Sequence, residues 1–199
     1  MTPQQETMTP QQEFAQLFKR MYQICEQQQW GDPFSYARSR EIHMANMLGH
    51  QIASTLSGAD AIDEDGECEY KSTIGAHIQA VYNGISVQPS WEQQLAYLSS
   101  DKIGKYKNHY YARYEGADIV ELYKMPVDKV LEFVLPKLHI KYHREKKGKD
   151  PRLGVTIPKK YIIEHATLMD LTTHSSSQNT PEPLHNQSTS APSLDTLVL

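Results

Sequence analysis

Two carboxylates and one ammonium group are the side chains in this sequence whose spacing is best suited to chemistry. They belong to Asp60, Glu69 and Lys71, in the stretch G-A-D-A-I-D-E-D-G-E-C-E-Y-K-S over residues 58–72. Two carboxylates held close together repel each other unless a cation lies between them, and a site made of oxygen atoms suits Mg²⁺. A lysine beside such an ion can orient or deprotonate a water molecule. The three residues are therefore candidates for metal-assisted hydrolysis.

A β-hairpin is the element that must bring these side chains together. Asp65-Gly66 is a strong turn signal, and it predicts antiparallel strands over about residues 59–63 and 67–72. Side chains alternate between the faces of a strand, which puts Glu69 and Lys71 on one face, and Asp60 can reach that face from the first strand. The same pattern is typical of a solvated edge hairpin whose charges only pair with one another. From the residues alone, both interpretations remain open.

Two helices are predicted before the hairpin. Thr9-Pro10 has the form of an N-cap followed by proline at the first helical position, and it opens a helix over about residues 10–29. Apolar residues recur there at helical spacing, namely Phe14, Leu17, Phe18, Met21 and Cys25. A second helix is expected from Ser35 to Leu56. The apolar stripe of the first helix suits either the core of its own subunit or a contact between subunits.

After the hairpin, strands and helices are expected to alternate. The segments are one or two strands before residue 90, a short helix over 90–98, paired strands over 109–114 and 117–123, a helix over 126–135 that Pro136 ends, a basic loop or bent ribbon over 141–152, and a strand or helix over 157–165. The polar composition of residues 1–9 and 172–199 predicts disordered ends. We therefore expect one folded domain over residues 10–171.

Composition and charge narrow the class of protein. No stretch approaches the roughly 20 apolar residues of a membrane span, and the glutamine-rich start does not resemble a signal peptide. Cys25 and Cys68 form no CxxC pair, which does not suit a disulfide framework or a zinc site. These features predict a soluble, cytoplasmic protein. Residues 1–100 carry 5 Lys and Arg against 12 Asp and Glu, whereas residues 101–165 carry 15 against 9. A basic second half suits a surface that faces phosphates, and it also suits a solvated helix face.

The hairpin stretch resembles the active-site motif of the PD-(D/E)xK nucleases, with Asp60, eight residues, then Glu69-x-Lys71, and with Ala59 in place of the usual proline. The stretches K-Y-K-N-H-Y-Y-A-R-Y-E-G-A-D-I-V-E-L-Y-K-M-P-V-D-K-V-L-E-F and I-P-K-K-Y-I-I-E-H are similar in order and spacing to PvuII-like type II restriction endonucleases of that superfamily. The resemblance covers roughly residues 58–165. It implies an α+β fold with a central mixed sheet flanked by helices.

The resemblance also implies roles for the hairpin residues. Asp60 and Glu69 would ligate Mg²⁺, together with the backbone carbonyl of Tyr70, and Lys71 would place the attacking water. In this superfamily an acidic residue on the helix before the hairpin often helps to bind metal, and Glu41 is the best-placed candidate here. Glu41 is equally well explained as a surface residue beside Arg38 and Arg40. Where the family carries a glutamate three residues before its first aspartate, this chain has Ser57.

Two segments are candidates for contact with DNA. The first coincides with the base-reading segment of the resembled enzymes and supplies hydrogen-bonding groups at Tyr82, Asn83, Ser86 and Gln88. Asn and Gln can pair with adenine through two hydrogen bonds. Asn83-Gly84 is equally typical of an ordinary turn. The second segment is basic and would contact phosphates, or be merely solvated, and Arg152 could also read a guanine edge. Its residues are Lys141, His143, Arg144, Lys146, Lys147, Lys149 and Arg152.

The predicted function is Mg²⁺-dependent cleavage of double-stranded DNA at a short palindrome, leaving 5′-phosphates. Within one domain, residues 10–30 would form a dimerisation helix, 35–123 the catalytic core and recognition segment, and 124–171 a helix and a basic DNA-contacting region. A homodimer is expected because cutting both strands of a palindrome needs two centres related by a two-fold axis. A cognate DNA methyltransferase encoded nearby is the expected partner. The alternatives are a structure-specific, phage or repair nuclease, and a DNA-binding module without activity.

Overall fold

The computed structural model of the chain describes residues 8–54, 58–145 and 151–171. The helices are α1 (Pro10–Gln28), α2 (Arg38–Leu48), α3 (Trp91–Ala96), which continues into a π-helical segment (Tyr97–Lys102), α4 (Val127–Glu145) and α5 (Lys159–His165). The strands are β1 (Gln51–Ile52), β2 (Ala61–Asp63), β3 (Gly66–Thr73), β4 (Gln79–Ser86), β5 (Asn108–Glu115), β6 (Asp118–Pro126), β7 (Arg152–Pro158) and β8 (Thr167–Leu168). The predictions for residues 1–7, Ser57, Lys146, Lys147, Lys149 and residues 172–199 lie outside the described residues.

A mixed six-stranded sheet organises the fold. Its strand order is β1-β2-β3-β5-β6-β8. The β3 and β5 strands run parallel, and the other neighbouring strands run antiparallel. A separate antiparallel pair is formed by β4 and β7. The α+β class with a mixed central sheet, expected from the sequence, is confirmed.

Each face of the sheet is covered by a different layer. On one face, Met44 and Ala45 of α2 pack against Cys68 and Tyr70 of β3. On the other face, the β4–β7 pair and α4 form a larger core that includes Tyr111 of β5. Because side chains alternate along β3, Glu69 and Lys71 point away from this first core and toward the second layer. The strand that carries the candidate site therefore lies in the middle of the sheet, between two packed layers.

The ends of the first two helices show where local signals decide the structure. Thr9 caps α1 as predicted, since its hydroxyl accepts from the N–H of Gln12 and the Gln12 side chain accepts from the N–H of Thr9. The predicted end of α2 at Leu56 is wrong, because the helix stops at Leu48. Gly49 adopts a left-handed conformation with φ 69°, which ends the helix. The chain then pairs β1 with β2 instead of continuing as a helix.

The prediction that Pro136 ends the fourth helix is also wrong, because α4 runs through it to Glu145. A proline removes one N–H from the helix ladder and disfavours its interior. The buried stripe that continues beyond it explains why the helix persists; its members are Val130, Val134, Leu138 and Tyr142. The segment predicted as a basic loop or ribbon over 141–152 is thus helical up to residue 145 and enters β7 at Arg152.

Most of the apolar stripe of α1 is exposed in the described part of the chain. Phe14 is 69% exposed, Leu17 58%, Phe18 48% and Met21 42%, whereas Cys25 at the far end is buried. Phe34, in the connection to α2, stacks on Phe18 with ring centroids 3.8 Å apart. Within the described residues these four side chains of α1 are therefore not buried in the core of their own subunit, and a contact between subunits stays a prediction. Within the described parts of the chain, no helix combines the length and the apolar character that crossing a membrane requires.

Candidate active site

The β2–β3 hairpin places Asp60 across from Glu69. The strands pair Ala61 with Cys68, and the N–H of Asp60 donates to the carbonyl of Cys68 over 3.1 Å. Residues that face each other across an antiparallel pair point to the same side of the sheet. The structure thus brings the two candidate carboxylates together.

The turn itself differs slightly from the predicted one. Glu64 and Asp65 form the two turn residues between the paired Asp63 and Gly66. Gly66 opens β3 with φ 117°, a conformation that side-chain-bearing residues rarely adopt. Gly66 was predicted to be a turn residue, but in the structure it is the first residue of β3, where its positive φ requires a glycine.

Lys71 completes the cluster. Its ammonium forms an ion pair and hydrogen bond with Oε1 of Glu69, and the two side chains are 25% and 15% exposed. The Lys71 Nζ also lies 5.5 Å from the centre of the Tyr82 ring, within the range of a cation–π contact. A small cleft of about 60 Å³ opens beside these groups, lined by Glu69, Lys71, Val81, Tyr82, Asn83, Ile85, Lys102 and Ile103. The lysine and one carboxylate are therefore accessible from this cleft.

The single ammonium group of Lys71 does not neutralise the negative charge of both Asp60 and Glu69. Burial and the neighbouring Glu69 carboxylate raise the pKa of Asp60 to about 7, although Lys71 acts in the opposite sense. Burial alone would lower the pKa of Lys71, but the Glu69 and Asp60 carboxylates outweigh it and raise that pKa. One ammonium group is thus not enough to keep both carboxylates charged at neutral pH. A divalent cation between them would do so, which makes the donor set a fit for Mg²⁺.

The backbone of Tyr70 supports the same site. Its N–H donates to Oδ2 of Asp60 over 2.7 Å. In a β-strand the N–H and the carbonyl of one residue point toward the same neighbouring strand. The carbonyl of Tyr70 therefore lies on the edge of β3 that Asp60 occupies, where the resemblance implies a metal ligand.

Glu41 lies near the cluster but is engaged elsewhere. Its Oε2 pairs with Nη1 of the buried Arg38 over 3.2 Å. After burial and the two nearer charged groups, the Glu41 carboxylate contributes further to the raised pKa of Asp60. In the part of the chain that the structure describes, no group of three or more His, Cys, Asp or Glu side chains is arranged to hold a metal ion. The role of Glu41 as a metal ligand therefore stays a prediction, and its charge already acts on Asp60 in the fold.

A buried hydrogen-bond chain behind Lys71 was not anticipated from the sequence. The hydroxyl of Tyr82 lies 2.8 Å from Nδ1 of His109 and 3.0 Å from the hydroxyl of Tyr111. The parallel register places His109 beside Glu69, and Tyr111 beside Lys71. Burial and the nearby Lys71 ammonium lower the pKa of His109 to about 3, so its imidazole is neutral. The alternation of His109 and Tyr111 was visible in the sequence, but the parallel pairing with β3 was not.

The tip of the hairpin is anchored by side chains from β5. Asn108 Nδ2 donates to Oδ2 of Asp63 over 2.8 Å and to Oδ2 of Asp65 over 2.9 Å. The Tyr110 hydroxyl donates to the same Asp63 oxygen over 2.9 Å. The acidic turn is thus tied to the centre of the sheet, which fixes the strands that carry Asp60 and Glu69. Neither Asn108 nor Tyr110 was singled out from the sequence.

The predicted base-reading residues have different surroundings. Tyr82 is only 6% exposed and its hydroxyl is held in the buried chain, so its position argues against the prediction that it reads bases. Asn83 is exposed at the cleft, beside an irregularity in the β4–β7 pairing. The hydroxyl of Ser86 accepts from Arg152 Nη1 over 2.8 Å. The half-buried Gln88 accepts through its backbone carbonyl from the Tyr142 hydroxyl over 2.9 Å.

The described residues of the basic segment are not equivalent. Lys141 is half-buried and its Nζ donates to the carbonyl of Gly154 over 2.5 Å. His143, Arg144 and Arg152 are exposed. Lys141 thus connects α4 to β7, whereas the exposed residues remain candidates for contact with phosphates.

Comparisons with known proteins give no match: neither the scan against protein-family models nor the search of curated proteins finds one.

Proposed function

We propose that this chain is a Mg²⁺-dependent endonuclease with a PD-(D/E)xK core, of the PvuII-like type II restriction class. The observation that carries the proposal is the convergence of Asp60, Glu69 and Lys71 at one hairpin beside a cleft, with a pKa of about 7 at Asp60. A carboxylate pair with too little positive charge favours a bound divalent cation. The mixed sheet with the hairpin at its centre is compatible with that core.

Each residue of the cluster has a defined role in this proposal. Asp60, Glu69 and the Tyr70 carbonyl would hold Mg²⁺, which would neutralise phosphate charge and make a bound water more acidic. Lys71 stays protonated because its pKa is raised. It therefore orients the attacking water and stabilises the negative charge that develops on the phosphate, rather than removing a proton. In-line attack by the water oxygen breaks the bond between phosphorus and the 3′-oxygen; the water gives up a proton to solvent and the 3′-oxygen takes one from solvent, which leaves a 5′-phosphate and a 3′-hydroxyl.

Contacts with DNA are assigned to the surface around the cleft. Asn83 carries the exposed amide at the cleft and is the proposed base-reading residue. Ser86 and Gln88 follow it in the sequence, and Arg152 is hydrogen-bonded to Ser86; these three residues are proposed to assist it. His143, Arg144 and the basic residues Lys146, Lys147 and Lys149 are proposed to contact phosphates. Phosphate contacts position the protein, whereas base contacts select the sequence.

The proposed working unit is a homodimer formed through α1. Its exposed stripe of Phe14, Leu17, Phe18 and Met21 is extended by the stacked Phe34. A contiguous exposed apolar surface of this kind is typical of a protein interface. A two-fold dimer would present two hairpins to the two strands of a palindrome. A cytoplasmic location and a cognate methyltransferase belong to the same proposal.

Cleavage of DNA tests the proposal directly. The protein is incubated with phage DNA and Mg²⁺, and the products are separated on a gel. Discrete bands support a restriction endonuclease, and a smear supports a structure-specific or non-specific nuclease. Intact DNA with reduced mobility supports a binding module without activity. That last alternative is favoured by the ion pair between Lys71 and Glu69, which also suits a purely structural hairpin.

A further inference from the structure

Two histidines lie one turn apart on the exposed face of α4. His139 and His143 are both exposed, and their Nε2 atoms are 3.0 Å apart. Residues separated by four positions are neighbours on a helix surface. The two imidazoles thus point their outer nitrogens at one position in solvent.

The distance between these nitrogens matches that between two ligands of one metal ion. Imidazole nitrogens bind Zn²⁺ at about 2.0–2.1 Å, so two of them on one ion lie roughly 2.9 Å apart at an octahedral angle and roughly 3.3 Å apart at a tetrahedral one. Without an ion, the same distance allows one Nε2–H to donate to the other Nε2. To bind metal, the donating ring has only to take the tautomer with its proton on Nδ1. No change of backbone is required.

The surroundings of the pair favour a cation but limit its affinity. The pair lies in the C-terminal half of α4, where the helix dipole is negative. Arg144 follows His143 directly and opposes a second positive charge. The Trp91 ring lies 4.5 Å from the His139 ring, and the Tyr142 ring lies 5.3 Å from the His143 ring. In the described residues no third His, Cys, Asp or Glu joins the pair, so water completes the coordination.

We propose that His139 and His143 form a two-histidine binding site for one borderline divalent transition-metal ion, such as Zn²⁺ or Ni²⁺. Imidazole suits these ions, whereas Mg²⁺ prefers oxygen ligands. The site is therefore distinct from the carboxylate cluster, and it does not depend on nuclease activity.

Binding at this site has a structural consequence. The turn between the two histidines carries Lys141, bonded to the carbonyl of Gly154, and Tyr142, bonded to the carbonyl of Gln88. A metal that links His139 to His143 fixes this turn, and with it the attachment of α4 to the segments around β4 and β7. Bound Zn²⁺ therefore raises the Tm of the protein, because an ion that binds only the folded state stabilises it.

Titration calorimetry with Zn²⁺ tests the site on the full chain. Excess Mg²⁺ is present throughout, to occupy the carboxylate cluster. The variants are His139→Gln and His143→Gln, and the matched control is His77→Gln, which changes another exposed histidine. We expect the parent and His77→Gln to bind one Zn²⁺ per chain, and each variant of the pair to bind it about tenfold more weakly or worse.

A second measurement uses the indole of Trp91. Ni²⁺ or Cu²⁺ at the pair should quench its fluorescence, and the quenching should disappear in His139→Gln and in Trp91→Phe. The Tm should rise with Zn²⁺ in the parent and not in the variants of the pair. Unchanged Zn²⁺ affinity in His139→Gln or His143→Gln overturns the proposal, and so does a parent that binds no Zn²⁺ under these conditions. Neither result decides whether the protein cleaves DNA, which the cleavage assay on the parent protein tests separately.

Discussion

The N–H of Tyr70 donates a 2.7 Å hydrogen bond to Oδ2 of Asp60. This bond links the residue that precedes β2 to the strand that carries Glu69 and Lys71. The carboxylate is thereby fixed by the backbone rather than by a flexible partner. A fixed, half-buried carboxylate beside a second one is an arrangement that costs stability without a cation, and such arrangements are frequent at functional sites.

Removing the charge of Lys71 should abolish most of the activity. The change Lys71→Met keeps the length of the side chain and leaves the developing phosphate charge without its ammonium. We expect the cleavage rate to fall by about 10²-fold or more, the scale of one such electrostatic contribution. The measurement is single-turnover cleavage at saturating Mg²⁺.

The matched control for this change is Lys105→Met. Lys105 pairs with Glu67 of the same hairpin over 3.4 Å but does not line the cleft. Its rate should equal that of the parent. If Lys71→Met cleaves as fast as the parent and still requires Mg²⁺, the assignment of Lys71 is wrong.

The stability of the metal-free protein should depend on pH through Asp60. Its pKa is about 7 in the fold against an ordinary 3.8, so the folded state holds a proton that the unfolded chain has lost. The stabilising contribution is fully present below pH 3.8 and is lost as pH rises through about 7. Mg²⁺ should therefore raise the Tm more at about pH 8 than at about pH 5.

The buried imidazole of His109 changes the stability with pH in the opposite direction, so the effect of Asp60 must be measured as a difference between two proteins. The pKa of His109 is about 3 in the fold against an ordinary 6.5, so its contribution is present above 6.5 and lost as pH falls toward 3. The informative quantity is thus the difference in Tm between the parent and Asp60→Asn, each without metal. Between about pH 5 and about pH 8 the Tm of the parent should fall relative to the Tm of Asp60→Asn. A constant difference would contradict the raised pKa.

Local signals were enough to predict the hairpin and the first helix. Thr9, Pro10 and the acidic turn act over a few residues, so their effect is readable in the sequence. The site residues Asp60, Glu69 and Lys71 belong to that local unit. Their convergence follows from strand alternation and one turn.

Long-range packing decided what the sequence did not predict. The parallel pairing of β3 with β5 joins segments about forty residues apart, and it alone puts His109 next to Glu69. Pro136 failed as a helix end because buried residues such as Leu138 and Tyr142 outweigh one lost hydrogen bond. Tyr82 was predicted to read bases, but in the structure it is buried in the core that includes Tyr111 of β5. In each case the outcome depends on which side chains become buried in the folded chain, and that burial is not readable from a short stretch of sequence.

The Tyr82 hydroxyl and the Tyr82 ring should have separable effects. Tyr82→Phe keeps the ring beside Lys71 but leaves His109 Nδ1 without its partner at 2.8 Å. An unsatisfied buried polar group costs about 1–3 kcal/mol, so the free energy of unfolding should fall by that amount while cleavage stays near the parent rate. Tyr82→Leu removes the ring as well and should also slow cleavage. Equal cleavage by the two variants would exclude a role for the ring in holding Lys71.

Base recognition and phosphate contact should respond differently to mutation. Asn83→Ala removes the exposed amide at the cleft and should weaken binding to the cognate sequence by about 1–3 kcal/mol, with little effect on random DNA. Arg144→Gln removes an exposed charge and should weaken binding to both DNAs alike, with a shallower salt dependence. Lys146→Gln or Lys147→Gln should behave like Arg144→Gln. Binding is measured on both DNAs in Ca²⁺ across a range of salt. Equal losses on both DNAs for Asn83→Ala would remove it from recognition.

The exposed stripe of α1 should decide the oligomeric state. Leu17 and Met21 are 58% and 42% exposed and lie one helical turn apart. The double change Leu17→Glu and Met21→Glu puts like charges into the proposed two-fold contact, so we expect a folded monomer that nicks DNA or fails to cut both strands. Sedimentation and supercoiled-plasmid cleavage measure the two effects. The matched control is Ile74→Glu, which alters a residue that is 67% exposed elsewhere on the surface and should stay dimeric. A parent protein that sediments at its chain mass of 22.8 kDa and still cuts both strands in one event would refute the dimer.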